Sequence, residues 1–330
     1  MTELLVPQEV EADVAGLQDA AQGLDTRSLS PRRMAFKRYL QHKGAVICTV
    51  LLLFMVIFVL LAPITMRYGV NEPVFPISEG PNQYLSPRAI AWFGTDDIGR
   101  DLYSRMIVGL RVSLVIGLAA AIFSTLIGVT VGAIAGLRGG LFDDIIMRVT
   151  DVFLAFPFLV ALLVVRSFLG NISALEGIIG DPSSIRFVIL LFVVFGWMGV
   201  ARLVRGQVLA LKEREFIEAT RAVGASSKRI IFTHLLPNCI GPILVALTTA
   251  VVAAVVAEAT LSFFGYGPQA GAGTTSLGNL VREADLAITT GYWWIAVFPC
   301  ALLVLVAICI NFIGDGLRDA TDPKLPGGAG

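Results

Sequence analysis

The sequence predicts an all-α integral membrane protein with six spanning helices and both termini in the cytoplasm. Three observations carry that expectation. Of the 330 residues, 56% are hydrophobic and only 15% charged, at a mean hydropathy of +0.79; an ordinary soluble domain is about 45–50% apolar and about 25% charged. Six stretches are long and apolar enough to cross a hydrocarbon layer roughly 30 Å thick as helices, the one open-chain form that satisfies its own backbone in lipid. With the N-terminus inside, sixteen lysines and arginines fall on inside segments and seven outside, which is the bias the positive-inside rule describes.

In chain order, residues 1–25 are polar, acidic and without an apolar stripe, so a disordered cytoplasmic tail is expected. A basic juxtamembrane segment, 26–43, leads into the first span, 44–62. That span has too long an apolar core, too far into the chain, for a cleaved signal peptide, and it is expected to remain as an anchor. An extracytoplasmic loop covers 63–111. Its end, "WFGTDDIGRDLYSRMIVGLRVSL", mixes Gly, Asp and Arg with Trp92, Phe93 and Tyr103, as an ordered segment at the membrane surface would. The core, 112–314, holds the remaining spans: Val112–Leu137, Val149–Gly170, Phe187–Val204, Ile240–Phe264 and Tyr292–Gly314. A cytoplasmic tail, 315–330, closes the chain.

Within the core, "EFIEATRAVGASSKRIIFTHLLPN" (Glu215 to Asn238) is a charged island. At about 100° per residue, Arg214, Glu218 and Arg221 share one helix face and Phe216, Ala219 and Val223 the opposite one, which makes a short amphipathic helix. Gly224 supplies a left-handed C-terminal cap, Ser226 or Ser227 caps a following helix, and Pro237 ends the apolar run before the fifth span. Pairing of Glu218 with Arg214 and Arg221 would contribute only about 0.2–0.5 kcal/mol each, too little to account for the island as a stabilising device. From these residues alone, a passive interfacial helix remains an alternative.

"EATRAVGASSKRIIFTHLLPN" resembles the EAA loop of ABC-importer permeases. Glu218 and Ala219 match, Thr220 stands in place of an alanine, Gly224 is in register, Leu236 and Pro237 close the pattern, and His234 replaces an isoleucine in the manner of the peptide and nickel branch. "FGTDDIGRDLYSRMIVGLRVSL", "EATLSFFGYG" and "GDGLRDATDPKL" are similar to other blocks of that branch, in particular its C-type subunit; Ala320-Thr321 departs conservatively. The resemblance runs from about Arg38 to Leu325. It implies the six-helix type I ABC importer permease fold in a bacterial-type plasma (inner) membrane, with peptides as substrate, or nickel, an opine or another small solute. It also implies that Glu218, Ala219, Thr220, Arg221, Gly224, Leu236 and Pro237, in a coupling hairpin spanning 212–237, dock on a separate ATPase. The implied partners are a homologous second permease forming a heterodimer, two ATP-binding subunits or domains that use ATP and Mg, and an extracytoplasmic solute-binding protein.

Several chemistries are not encoded. No P-loop motif occurs and no lysine follows a glycine, so neither ATP hydrolysis nor a bound cofactor is expected of this chain itself. "GYGPQAGAG" (Gly265–Gly273) lacks the flanking strand and helix of a phosphate loop. With His42 and His234 as its two histidines, no HExxH and no GxSxG, the chain is not read as an intramembrane protease or as a metal site. A zero formal net charge offers nucleic acid no basic field. The four cysteines, Cys48, Cys239, Cys300 and Cys309, read as small buried hydrophobes. An ATP-independent secondary transporter is the rival of another class, and it should display ionisable groups at mid-membrane. Asp151 and Arg202 lie near cytoplasmic ends. Arg166 and Glu258 lie deeper, placed either to pair with each other, to cap the bundle or to meet the charged termini of a peptide in transit. Small-residue stripes, Ser124-Gly128-Gly132-Gly136 in span two and Ala246-Ala250-Ala254-Ala257 in span five, serve either packing within the chain or an interface with a second permease.

Overall fold

The computed structural model describes residues 31–75, 83–169, 184–268 and 274–321. The tail 1–25, the glycine-rich stretch beyond residue 268, the last residue of the third span and the chain after Thr321 lie outside them.

The described residues are helical apart from the loops and two isolated β-bridges, Pro73 with Arg100 and Thr95 with Asp101. Among the described residues, ten helices of eight residues or more organise the chain: α1 (Pro31–Gln41), α2 (Lys43–Leu60), α3 (Leu102–Arg138), α4 (Gly140–Ala155), α5 (Phe158–Leu169), α6 (Ile185–Lys212), α7 (Glu215–Ala222), α8 (Ile240–Phe263), α9 (Leu277–Thr289) and α10 (Trp293–Thr321). Five of them, α2, α3, α6, α8 and α10, are each long and apolar enough to cross a membrane. The pair α4 and α5 makes a sixth crossing if its bent halves are taken together.

That bend corrects the continuous third span expected at Val149–Gly170. The two helices meet at 88°. Pro157 causes it: it has no N–H to give the ladder, and it drives the preceding Phe156 into extended backbone (φ −82°, ψ 136°).

Span two also differs, because α3 begins ten positions before Val112, inside the segment read as outer loop. Asp101 starts it, accepting from the Ser104 amide at 2.9 Å and the Ser104 hydroxyl at 2.7 Å. Its 37 residues measure about 55 Å, well beyond the hydrocarbon thickness. The extra turns carry Arg105, which is buried and bonded by Asp96 and by Glu283 of α9 (2.5 and 2.7 Å), so the early arginines belong to a folded cap. Asp96 also takes the Arg100 amide at 2.8 Å and its Nε at 2.6 Å. Residues 84–101 are thereby packed on their own protein, with Tyr84 stacked on Tyr292 at 4.1 Å.

The small-residue stripe of α3 faces α6 within the same chain. A Cβ on Gly128 would stand 2.6 Å from the Trp197 carbonyl oxygen, and one on Gly132 would collide with that of Ala201. Backbones so close gain dispersion contacts along their length, which is what joins helices where lipid supplies no hydrophobic drive. In α8, Ala254 and Ala257 are buried, whereas Ala246 and Ala250 line a cleft of about 590 Å³ between α6, α8 and the end of α10. Ion pairs join α4 to α6: Arg205 grips Asp143 bidentately at 2.5 and 2.6 Å, and Arg202 bonds Asp151.

α1, the end of α10 and the charged island lie at one end of this bundle. Gly241, just after the island, abuts Thr321, and His42 lies 3.8 Å from Asp319. The cap formed by 84–101 and α9 occupies the other end.

Candidate coupling site

The island folds as a hairpin between α6 and α8. After Lys212 the chain leaves the helix, Arg214 takes extended backbone (φ −81°, ψ 140°) and α7 begins, with Glu215 and Glu218 at its positive end. It stops at Gly224, whose φ is +84°. The Ala225 amide donates to the Thr220 carbonyl (3.2 Å) and the Gly224 amide to that of Arg221 (2.8 Å), the bond pair of a Schellman cap. Ser226 then caps the returning segment, accepting from the Arg229 amide at 3.4 Å.

The return runs helically through Ser227–Asn238, with wide π turns over Ile230–Leu235. Pro237 lies in the last turn of this return, and Cys239 separates it from α8. The wide turns end just before Pro237, where a regular α ladder would have set the proline ring against the Thr233 carbonyl.

What fastens the hairpin is apolar. Ile217, Ile230, Ile231, Leu235 and Cys239 are buried against Val129 and Ala133 of α3 and Val200, Val204 and Val208 of α6. Burial also pushes the Cys239 thiol up from its ordinary value. All four cysteines are free; Cys48, Cys239 and Cys309 are buried and Cys300 is half-buried.

The outward face is a mixture of charge and apolar surface. Glu218, Ala219, Arg221, Gly224 and Pro237 are exposed, while Thr220 and Leu236 are half-buried, with the Thr220 hydroxyl donating to the Phe216 carbonyl at 2.6 Å. Phe216 and Val223 are 43% and 89% exposed, so the apolar face drawn from periodicity is turned away from the bundle. Ile217 alone of α7 is buried. Among the described residues, Arg214, Glu218 and Arg221 form no ion pair, and the pairing foreseen for them at i,i+4 and i,i+3 is not made. Ala219, Thr220, Val223, Gly224, Ala225, Arg229 and His234 together line an open cavity of about 380 Å³. Leu236 lies on a different cavity, of about 360 Å³, with Arg138, Phe142 and Lys228. The surface therefore has a concave seat, loose charges and greasy edges, which suits a reversible protein contact.

Arg166 and Glu258 lie far from this surface and form no ion pair with each other. Arg166, on α5, is buried; its Nε donates to the Tyr266 carbonyl at 3.2 Å and its guanidinium covers the Phe187 ring at 5.0 Å. Glu258, on α8, is fully buried and accepts from Ser113 and Ser262 at 2.7 and 2.6 Å.

The profile described as "Binding-protein-dependent transport system inner membrane component" matches residues 128–326, which includes the whole hairpin. The chain belongs to this family. Residues 30–87 match the N-terminal TM domain of oligopeptide transport permease C. The oligopeptide transport system permease protein OppC of Bacillus subtilis is 35% identical over 320 residues, 97% of this chain and 98% of that one. The dipeptide transport system permease protein DppC of the same organism is 37% identical over 90% of this chain and 87% of its own. OppC of Mycobacterium tuberculosis is 36% identical over 90% and 96%. Among solved structures, a chain of the inward-facing MetNI methionine ABC transporter superposes at a TM-score of 0.52, covering 65% of this chain and 94% of that one. At 22% identity, that likeness speaks for the fold.

Sequence reasoning did not find α9, the ion pairs between α4 and α6, or Ile217 as the anchor of α7. For α9 the signal is present in the sequence: Ser276 stands as a cap before an amphipathic run, but the run is shorter than a membrane span.

Proposed function

We propose that this chain is the permease subunit of an ATP-driven importer for peptides, and that its hairpin is the seat of a separate ATPase. The observation that carries the reading is the hairpin itself. It is held rigidly from within by Ile217, Ile230 and Leu235, yet turns unpaired charges and exposed Phe216 and Val223 outward. A protruding element built this way transmits a push: its anchors lie on α3 and α6, so displacing it displaces two spanning helices. Peptides as substrate rest on the relatives, which are oligopeptide and dipeptide permease proteins along nearly the whole chain.

On this reading the hairpin end, with α1 and the end of α10, faces the cytoplasm, in keeping with the basic-residue bias. The cap of 84–101 and α9 faces the solute-binding protein. A homologous second permease completes the pathway, and ATP and Mg belong to the ATPase pair, whose closure draws the hairpins together. Glu218 and Arg221 supply charged contacts, Ala219, Thr220 and Gly224 form the concave seat, and Leu236 and Pro237 set the return of the chain.

Reconstitution tests it. The purified complex with its binding protein should accumulate a labelled oligopeptide only when ATP is present, and this chain alone should bind no nucleotide. Peptide flux that follows an ion gradient without ATP would establish the secondary-transporter alternative instead.

A further inference from the structure

Glu258 occupies an unusual position. It is fully buried on α8, and both carboxyl oxygens are occupied by hydroxyls. Those hydroxyls are themselves committed. Ser113 Oγ, on α3, accepts from the Leu277 amide at 3.2 Å and donates to Glu258 Oε2. On the other side, Ser276 Oγ accepts from the Asn279 amide at 3.3 Å and lies 3.0 Å from Ser262 Oγ, which donates to Glu258 Oε1. With Ser262 donating to the carboxyl, Ser276 is the donor of the shared bond. Two chains of hydrogen bonds thus run in one direction, from amides in the first turn of α9, through serine hydroxyls, to the two oxygens of one side chain. A polar chain of this kind in an apolar interior is cooperative when complete and costly when broken.

The same turn is pressed into a backbone niche, where a Cβ on Gly278 would stand 2.5 Å from the Ala259 Cα. Midway along its length α9 is held again, by Glu283 on Arg105 of α3. Arg105 and Ser113 are eight positions apart on α3, about 12 Å along its axis. Two attachments that far apart prevent α9 from swivelling on α3. The outer face of α9, with Arg282, Asp285 and Ile288, remains exposed.

We propose that Glu258 is a positioning residue for transport: through Ser113, Ser262 and Ser276 it seats α9 on α3 and α8, so that the cap opposite the hairpin moves with α3 as one body. This rests on the importer reading above, because it gives the cap its role as the surface presented to the binding protein. Glu258 acts here as a double acceptor, and not by touching the peptide.

The test uses the full reconstituted importer, with a spin label at Ile288→Cys on α9. Glutamine keeps one acceptor oxygen but turns an NH₂ donor toward the other hydroxyl, so Glu258→Gln should lower the maximal uptake rate about tenfold. The half-saturating peptide concentration should stay within about twofold, because no transport contact is lost. The label should pass from immobile to mobile. Ser113→Ala and Ser262→Ala, each cutting one chain, should give intermediate losses that do not add to that of Glu258→Gln.

Wild-type uptake with an immobile label in Glu258→Gln would overturn the proposal. So would a loss confined to the half-saturating concentration and dependent on the charge of the peptide, which would mark direct contact, and so would strictly additive serine effects. Should Glu258→Gln fail to accumulate, the single serine variants decide, and wild-type uptake in both would refute the latch. An importer that moves no peptide even as wild type would refute the function instead, while the label would still report whether Glu258 holds α9.

Discussion

Gly224 is the residue on which the hairpin turns. At φ +84° a β-branched side chain would cost about 1–2 kcal/mol, yet a Cβ there meets nothing within 4 Å. The cost is therefore one of backbone conformation. Asparagine tolerates that region far better than valine. Gly224→Asn is expected to retain most of the copurifying ATPase and Gly224→Val to lose it at equal membrane abundance, as quantitative pull-down from solubilised membranes will show. Glu218 differs in kind, since it makes no intramolecular ion pair to lose. Glu218→Ala should leave thermal stability within about 0.5 kcal/mol of wild type while lowering peptide uptake and ATPase retention. A large drop in stability would mean that the carboxylate serves the fold.

At the scale of elements, α3 and α6 form the spine of the bundle, and glycine decides how close they come. Gly132→Leu would thrust a side chain into the Ala201 carbonyl, so the helices must part and the inner contacts along Val200, Val204 and Val129 loosen. Loss of folded protein after detergent extraction, measured by fluorescence-detected size exclusion, is the expected outcome. The link from α4 to α6 gives a complementary case. Asp143 is buried and Arg205 partly exposed, so Asp143→Ala should cost about 2 kcal/mol by stranding the guanidinium, after allowance for its solvent screening. The double variant Asp143→Leu with Arg205→Met should cost less than the single one, and melting in detergent can rank them. If the single change is silent, the Arg205–Asp143 pair does not help to hold α4 on α6.

For the whole molecule, the described ends and the hairpin share one end of the bundle, and the cap of 84–101 and α9 the other. In a cysteine-free background, Asp97→Cys should react with an impermeant thiol reagent on intact cells, and Ser227→Cys only after permeabilisation. Reversed labelling would invert the orientation and, with it, the side from which peptide enters. Much of this arrangement was legible beforehand. Long apolar stretches announce membrane helices because lipid forbids unsatisfied backbone, and the glycine, serine and proline of the hairpin mark a cap, a start and a constraint whatever surrounds them.

The sequence by itself determined the class of the protein, five of its apolar crossings, the turn at Gly224 and the family motif around Glu218, since these depend on composition and on local backbone chemistry. Only the tertiary structure decided what each face touches. Periodicity put Phe216, Ala219 and Val223 on one side of α7 but could not tell that this side is exposed and that Ile217 is the anchor, because both outcomes have the same helical period. Hydropathy averaged over Pro157 saw one span where the chain bends by 88°. Glu283 beside Arg105, Arg205 beside Asp143 and Ser113 beside Glu258 stand 178, 62 and 145 residues away in the chain, and no local rule encodes which distant charge or hydroxyl will arrive beside another once the helices pack.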